Sequence, residues 1–303
     1  MLSAAALRRL IIVAAALTLI IVSASAYLRL AGNGLGCAGW PSCYAGVAVT
    51  ERPTVAAADV VRGAHRIAAT VLGLVLIVLV LLGWEGLSGR RAAAVTLLLL
   101  TLLLAWLGRH TPSAFPAVTV GNLAGGMMLF GLLAWMLVRG DAAPAPPRAA
   151  GLAGAALLLL ATLMQAVTGA LMSVRHAAAA CPSMPLCGAA TDGALQWQVF
   201  NPFVDAEHDF SVASLQALHA AHRLFALAVV IAAVLAFRAG RHGDQRLRRA
   251  TAALLVVVAA QLALGMAVPL SDWHLQAAVA HNIGAVLTAA GGAWVMQRDA
   301  EPS

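Results

Sequence analysis

The chain has 303 residues, 62% of them hydrophobic and only 10% charged, with a mean hydropathy of +0.89. That apolar share exceeds what a water-soluble core can hold, so the composition excludes a soluble domain and defines an integral membrane protein. The net charge of +7 comes from nineteen basic residues, all arginine, placed in hairpins and not along an arm or stripe, which excludes a nucleic-acid-binding surface.

Crossing a hydrocarbon core of about 30 Å takes about 20 residues of helix. Eight such runs are predicted, at 10–28, 62–83, 92–108, 117–138, 152–173, 212–237, 250–268 and 276–297. The first follows Arg8 and Arg9 and ends in Ser23-Ala24-Ser25-Ala26, as a secretory leader does. It leads directly into a motif-bearing loop of a polytopic chain, which argues for retention, with cleavage the alternative.

An outer loop over 29–61 carries Cys37, Trp40 and Cys43 among glycines and Pro41. The second run holds His65-Arg66 near its outer end, the third ends in Leu107-Gly108-Arg109, and the fourth opens on Ala117 to Asn122. An Ala- and Pro-rich stretch, 139–150, reads as a cytoplasmic linker between an N-terminal half, 1–138, and a C-terminal half, 151–303. The second half then repeats the plan: Gln165 to Met172 end its first run, a loop carries Cys181 and Cys187, and His219, His222 and Arg223 follow. Gln261 to Gly265 end the seventh run, and His281-Asn282 open the eighth. Arg8, Arg9, Arg90, Arg91, Arg139, Arg148, Arg238, Arg241, Arg246, Arg248, Arg249 and Arg298 fall on one side, which the positive-inside tendency makes the cytoplasm, with both termini in it and the cysteine loops outside.

The register between halves is regular. Both cysteines of the first pair precede their counterparts by 144 residues; His65 precedes His222, and Gly108 precedes Gly265, by 157; Asn122 precedes His281 by 159. This predicts two pseudo-symmetric four-helix bundles arising by duplication. His65, Asn122, His222 and His281 then share a depth on the four helices that run inward.

Ionisable side chains at bilayer depth cost a few kcal/mol each and mark ligand, ion or proton paths. Isolated histidines also serve as hydrogen-bonded glue between helices. Matched positions in both halves favour a cofactor, and a haem iron takes two axial imidazoles from facing helices of a bundle. His222 and His281 meet that requirement; the first half offers His65 opposite Asn122. His219, one turn from His222, is read as supporting or packing. Arg66 and Arg223 either snorkel and pair with Asp205, Glu207 or Asp209, or neutralise haem propionates. His110, His176, His208, His242 and His274 are expected to be solvated. The cysteine pairs read as disulfides of an oxidising compartment, with zinc or a redox-active pair as the alternatives. Trp40 and Trp106 read as interfacial anchors.

Arg29-Leu30, Gly34-Leu35-Gly36-Cys37, Trp40-Pro41-Ser42-Cys43, the two His-Arg pairs at His65 and His222, Leu107-Gly108 and His281 together resemble the haem A synthase family, over almost the whole chain. The resemblance implies a bacterial plasma-membrane enzyme that oxidises the C8 methyl of haem O to the formyl group of haem A for cytochrome oxidases. It implies haem b on His222 and His281 and the substrate haem O at His65. Partners implied are the enzyme that makes haem O, an electron donor, membrane lipid and, as an open alternative, a second copy of the chain. In two places the chain departs from the family. The family carries a glutamate three residues before the first histidine, where Arg62 stands, and a histidine where Asn122 stands. Asp59 lies about 120° round the helix from His65 and is a poor substitute for the glutamate. The alternative function is a non-catalytic haem b cytochrome or haem carrier.

Overall fold

The computed structural model describes residues 2–31, 55–109, 115–138, 149–178, 180–181, 187, 193–270 and 274–299. Among them the chain is all helix and turn. The long helices are α1 (Ala4–Leu30), α2 (Val55–Gly83), α3 (Arg91–Arg109), α4 (Pro116–Val138), α5 (Ala149–Val174), α6 (Val212–Gly240), α7 (Gln245–Leu270) and α8 (Leu275–Asp299). All eight are long and apolar enough to span a bilayer. The predicted loop with Cys37, Trp40 and Cys43, the turn with His110, and most of the linker lie outside the described residues.

Boundaries differ from expectation where helix formers extend an apolar run. The second helix begins at Val55 and not at 62, because Ala56, Ala57 and Ala58 favour helix and start it before Asp59. The seventh begins at Gln245 and not at 250. Asp244 accepts a hydrogen bond from the Leu247 amide at 2.7 Å, so Arg246, Arg248 and Arg249 ride on the first turns of α7 instead of filling a loop.

α1, α2, α3 and α4 pack in a closed cycle of neighbours, and α5, α6, α7 and α8 pack in the same cyclic order. The two sets meet through α4 against α8 and α5, and α1 against α8. Each bundle has an apolar core at the same end. In the first it joins Ile11, Leu72, Leu76, Leu97 and Leu133; in the second, Leu158, Val229, Ala233 and Leu254. The histidines lie toward the other end, beside a further cluster of Leu171, Val199 and Leu218 in the second half.

Arg29, near the C-terminal end of α1, crosses the junction. It donates from Nη1 to Ser173 Oγ on α5 and from Nη2 to Asn282 Oδ1 on α8, each at 2.6 Å. A further layer, 193–211 with a short 3-10 turn at Trp197–Phe200, is pinned to the start of α6. Ser211 caps α6, its amide donates to Gln196 Oε1 at 3.0 Å, and the Gln196 amide donates to Ser214 Oγ at 2.8 Å. That anchorage fixes the helix that carries His219 and His222.

Candidate functional site

His222 on α6 and His281 on α8 face each other inside the second bundle, with ring centroids 6.4 Å apart and planes inclined at 71°. Two imidazoles that take one metal from opposite sides stand with ring centres roughly 6 Å apart, given about 2.0 Å per metal–nitrogen bond plus the distance from nitrogen to ring centre. The spacing therefore fits a shared iron.

Each ring lies against a glycine of the adjacent helix. A Cβ at Gly169 on α5 would stand 2.9 Å from Cε1 of His222, and a Cβ at Gly265 on α7 would stand 2.9 Å from Cε1 of His281. Any larger residue would push the ring out of its place, so these glycines are cradles for the imidazoles.

Hydrogen bonds settle the tautomer of His222. The Thr168 hydroxyl donates to the Met164 carbonyl at 2.9 Å, so at 3.2 Å it accepts from Nδ1–H of His222. The lone pair is then on Nε2, which receives the Gln165 amide at 3.0 Å. A metal-ligating histidine has its other nitrogen held by a neighbour in this way, and the Gln165 amide occupies the Nε2 lone pair that a metal would take. On the α7 side Gln261 donates to the main-chain carbonyl of His281 at 2.9 Å. Oε1 of Gln165, Oε1 of Gln261 and Nδ1 of His281 are buried without a hydrogen-bond partner. Each such group costs about 1–3 kcal/mol. Three such atoms around one pair of rings are what a site shaped for a bound group would leave. Imidazole pair, glycine cradles and orphaned polar atoms all suit a haem iron held by His222 and His281.

Gln165, Thr168 and Gln261 were not assigned roles from sequence. The signal was present: α5 and α7 each place a glutamine four residues before the cradle glycine, Gln165 before Gly169 and Gln261 before Gly265. His219 is buried, with Nδ1 unpaired. Its place one turn from His222 fits the supporting reading.

The first half is built differently. His65 and Asn122 are both partly buried, and a Cβ at Gly108 would meet nothing within 4 Å. Arg62 forms an ion pair with Asp59 on the exposed side of α2. Asp59 is thereby engaged and does not replace the absent glutamate. Arg66 is exposed, whereas Arg223 is half-buried and donates to the Cys181 carbonyl at 3.3 Å.

Cys181 and Cys187 form a disulfide, as expected, and Gln216 of α6 donates to the Ala180 carbonyl at 3.1 Å, so the bridge is seated on the helix of His222. Among the loop histidines, His208, His242 and His274 are exposed. His176 is not solvated: it is half-buried with a φ of 52°, and burial lowers its pKa below 6.5. Buried Arg175 beside it donates to the Asn201 carbonyl at 2.8 Å and lies 4.4 Å over the Phe210 ring, which draws this turn beneath the 193–211 layer. Trp106 is 60% exposed on α3.

Fold and site together define a polytopic helical membrane protein with a paired-imidazole centre. The family described as cytochrome oxidase assembly protein matches residues 8–291, and the chain belongs to that family. It is also 28% identical over 300 residues to the heme A synthase of Shewanella oneidensis, covering 89% of each chain.

Proposed function

We propose that the chain is a haem A synthase that oxidises the C8 methyl of haem O to a formyl group. The observation that carries this reading is the facing pair His222 and His281, each cradled on a glycine, in a chain of this family. The relative named heme A synthase supports the choice of reaction.

In this reading His222 and His281 hold haem b, Thr168 fixes the ring that coordinates, and the Gln165 amide gives up the Nε2 lone pair to the iron. When bound, haem b supplies a one-electron centre beside the substrate. His65 holds the iron of haem O in the first half. Arg66 and Arg223, next to the two ligands in sequence, supply cations for propionates. The helices exclude water from the reacting methyl group, and a lipid-soluble substrate enters from the bilayer, supplied by the enzyme that makes haem O. The halves 1–138 and 151–303 descend from a duplication, joined by the linker 139–150. The membrane is the bacterial plasma membrane, with both termini on the arginine-rich cytoplasmic side.

The test is complementation. Cells that make haem O but lack haem A should, on expressing this chain, regain haem A in their extracted haem pool and lose it again with His65→Ala. No haem A with the intact chain well expressed in the membrane would leave the haem-carrier reading in its place.

A further inference from the structure

Arg29 stands in α1, in the first bundle, yet its guanidinium reaches into the second, to Ser173 Oγ on α5 and Asn282 Oδ1 on α8, each at 2.6 Å. Both partners lie next to the paired imidazoles. Ser173 comes one turn after Gly169, the glycine against the His222 ring, and so shares that face of α5. Asn282 follows His281 directly, and its Nδ2 donates to the Ala278 carbonyl at 2.9 Å, which leaves Oδ1 to accept from Arg29. Leu30, beside Arg29, is buried in one cluster with Ala278, and Leu275 and Val279 pack against it. The last turn of α1 is thus seated on the first turns of α8 by an apolar contact and a charged hydrogen bond together.

Successive residues of a helix point about 100° apart. Holding Asn282 on α1 therefore fixes the rotation of α8, and with it the direction of His281, whose ring stands 6.4 Å from that of His222 with planes inclined at 71°. We infer that Arg29 is a positioning residue for the paired-imidazole centre: from the first bundle it clamps α5 and α8 of the second, and so sets the angle at which His222 and His281 face one metal. This rests on the reading that the two imidazoles hold haem b. Gly169 and Gly265 cradle the rings from within the second bundle, whereas Arg29 ties their orientation to the other one. Partners outside the ligand set that hold a ligand ring in orientation tune the metal as well as retain it. The centre takes its final geometry only with the two bundles docked.

The experiment uses the purified full-length chain with its haem, in the ferric state and well below the unfolding temperature. Electron paramagnetic resonance is the readout, because the g-values of a low-spin haem with two imidazoles follow the angle between the ring planes, which a loss of stability alone does not move. The haem b signal is identified by its loss with His222→Ala. Arg29→Met should leave that haem low-spin and shift its g-values. Asn282→Ala should shift them too, and the double variant no further than the single ones, as residues that act through one contact do. Arg29→Lys, which keeps a donor, should return toward the intact spectrum. Arg29→Met with the intact spectrum, or additive shifts in the double variant, would overturn the inference and leave the haem b reading standing. If Arg29→Met does not fold, an unshifted Asn282→Ala spectrum overturns it equally. An intact chain without a low-spin haem lost with His222→Ala would remove the reading and the inference with it.

Discussion

The Thr168 hydroxyl stands 3.2 Å from Nδ1 of His222 while its own hydrogen is given to the Met164 carbonyl. A hydroxyl so placed accepts only, which leaves Nε2 as the coordinating nitrogen before any metal arrives. Thr168→Val keeps the shape and removes the acceptor. Haem affinity of the second-half site should fall about tenfold or more, the usual cost of losing such an outer partner. Haem titration into the apoprotein measures it; an unchanged affinity would contradict this role for Thr168.

Gly169→Ala and Gly265→Ala place a methyl group 2.9 Å from the Cε1 of His222 and His281 respectively. Overpacking of this kind costs about 1–3 kcal/mol, and here the displaced group is the ligand itself. Haem content should drop in both variants. Gly73→Ala on α2, where the added carbon meets nothing within 4 Å, should retain both haem content and stability. Haem-to-protein ratios on purified chains distinguish the three.

Arg29 joins the halves through Ser173 and Asn282, both at 2.6 Å. Hydrogen bonds to a charged group contribute about 1.5–3 kcal/mol in water, and interhelical ones in lipid rather less. Arg29→Met should lower stability by about 1–3 kcal/mol. Thermal unfolding in detergent reads this, and Arg62→Met serves as the comparison, since its ion pair with Asp59 is exposed and should contribute under about 1 kcal/mol.

His176 lies outside the spanning helices, and burial depresses its pKa from 6.5. With the folded value below the unfolded one, the unfolded chain binds the proton more tightly. The associated stability is complete above pH 6.5 and is lost as pH falls through the folded value. His176→Gln should flatten the acid-side fall in unfolding temperature. A pH profile unchanged by the substitution would contradict this.

The eight spans were legible because apolar runs of bilayer length leave little choice of structure in lipid. The pairing of His222 with His281 was legible from the internal register, and the Cys181–Cys187 bridge from spacing and side. Helix ends were not, because Val55 to Val61 and Gln245 to Arg249 can be helix or loop until Asp244 caps one of them and neighbours pack. Gln165 and Thr168 escaped notice for a different reason. Their role lies in where each hydrogen goes, and that depends on α5 and α6 meeting at a particular rotation. His176 was misjudged because its turn is held down by Arg175 against Asn201 and Phe210, contacts far along the chain.

The most direct measurement is of the haems themselves. The chain is purified from cells that make haem O, its haems are extracted, and they are separated by reverse-phase chromatography with mass detection. The account predicts haem b, lost with His222→Ala or His281→Ala, together with haem O or its oxidised products, lost with His65→Ala. Haem b alone, indifferent to His65→Ala, would contradict it.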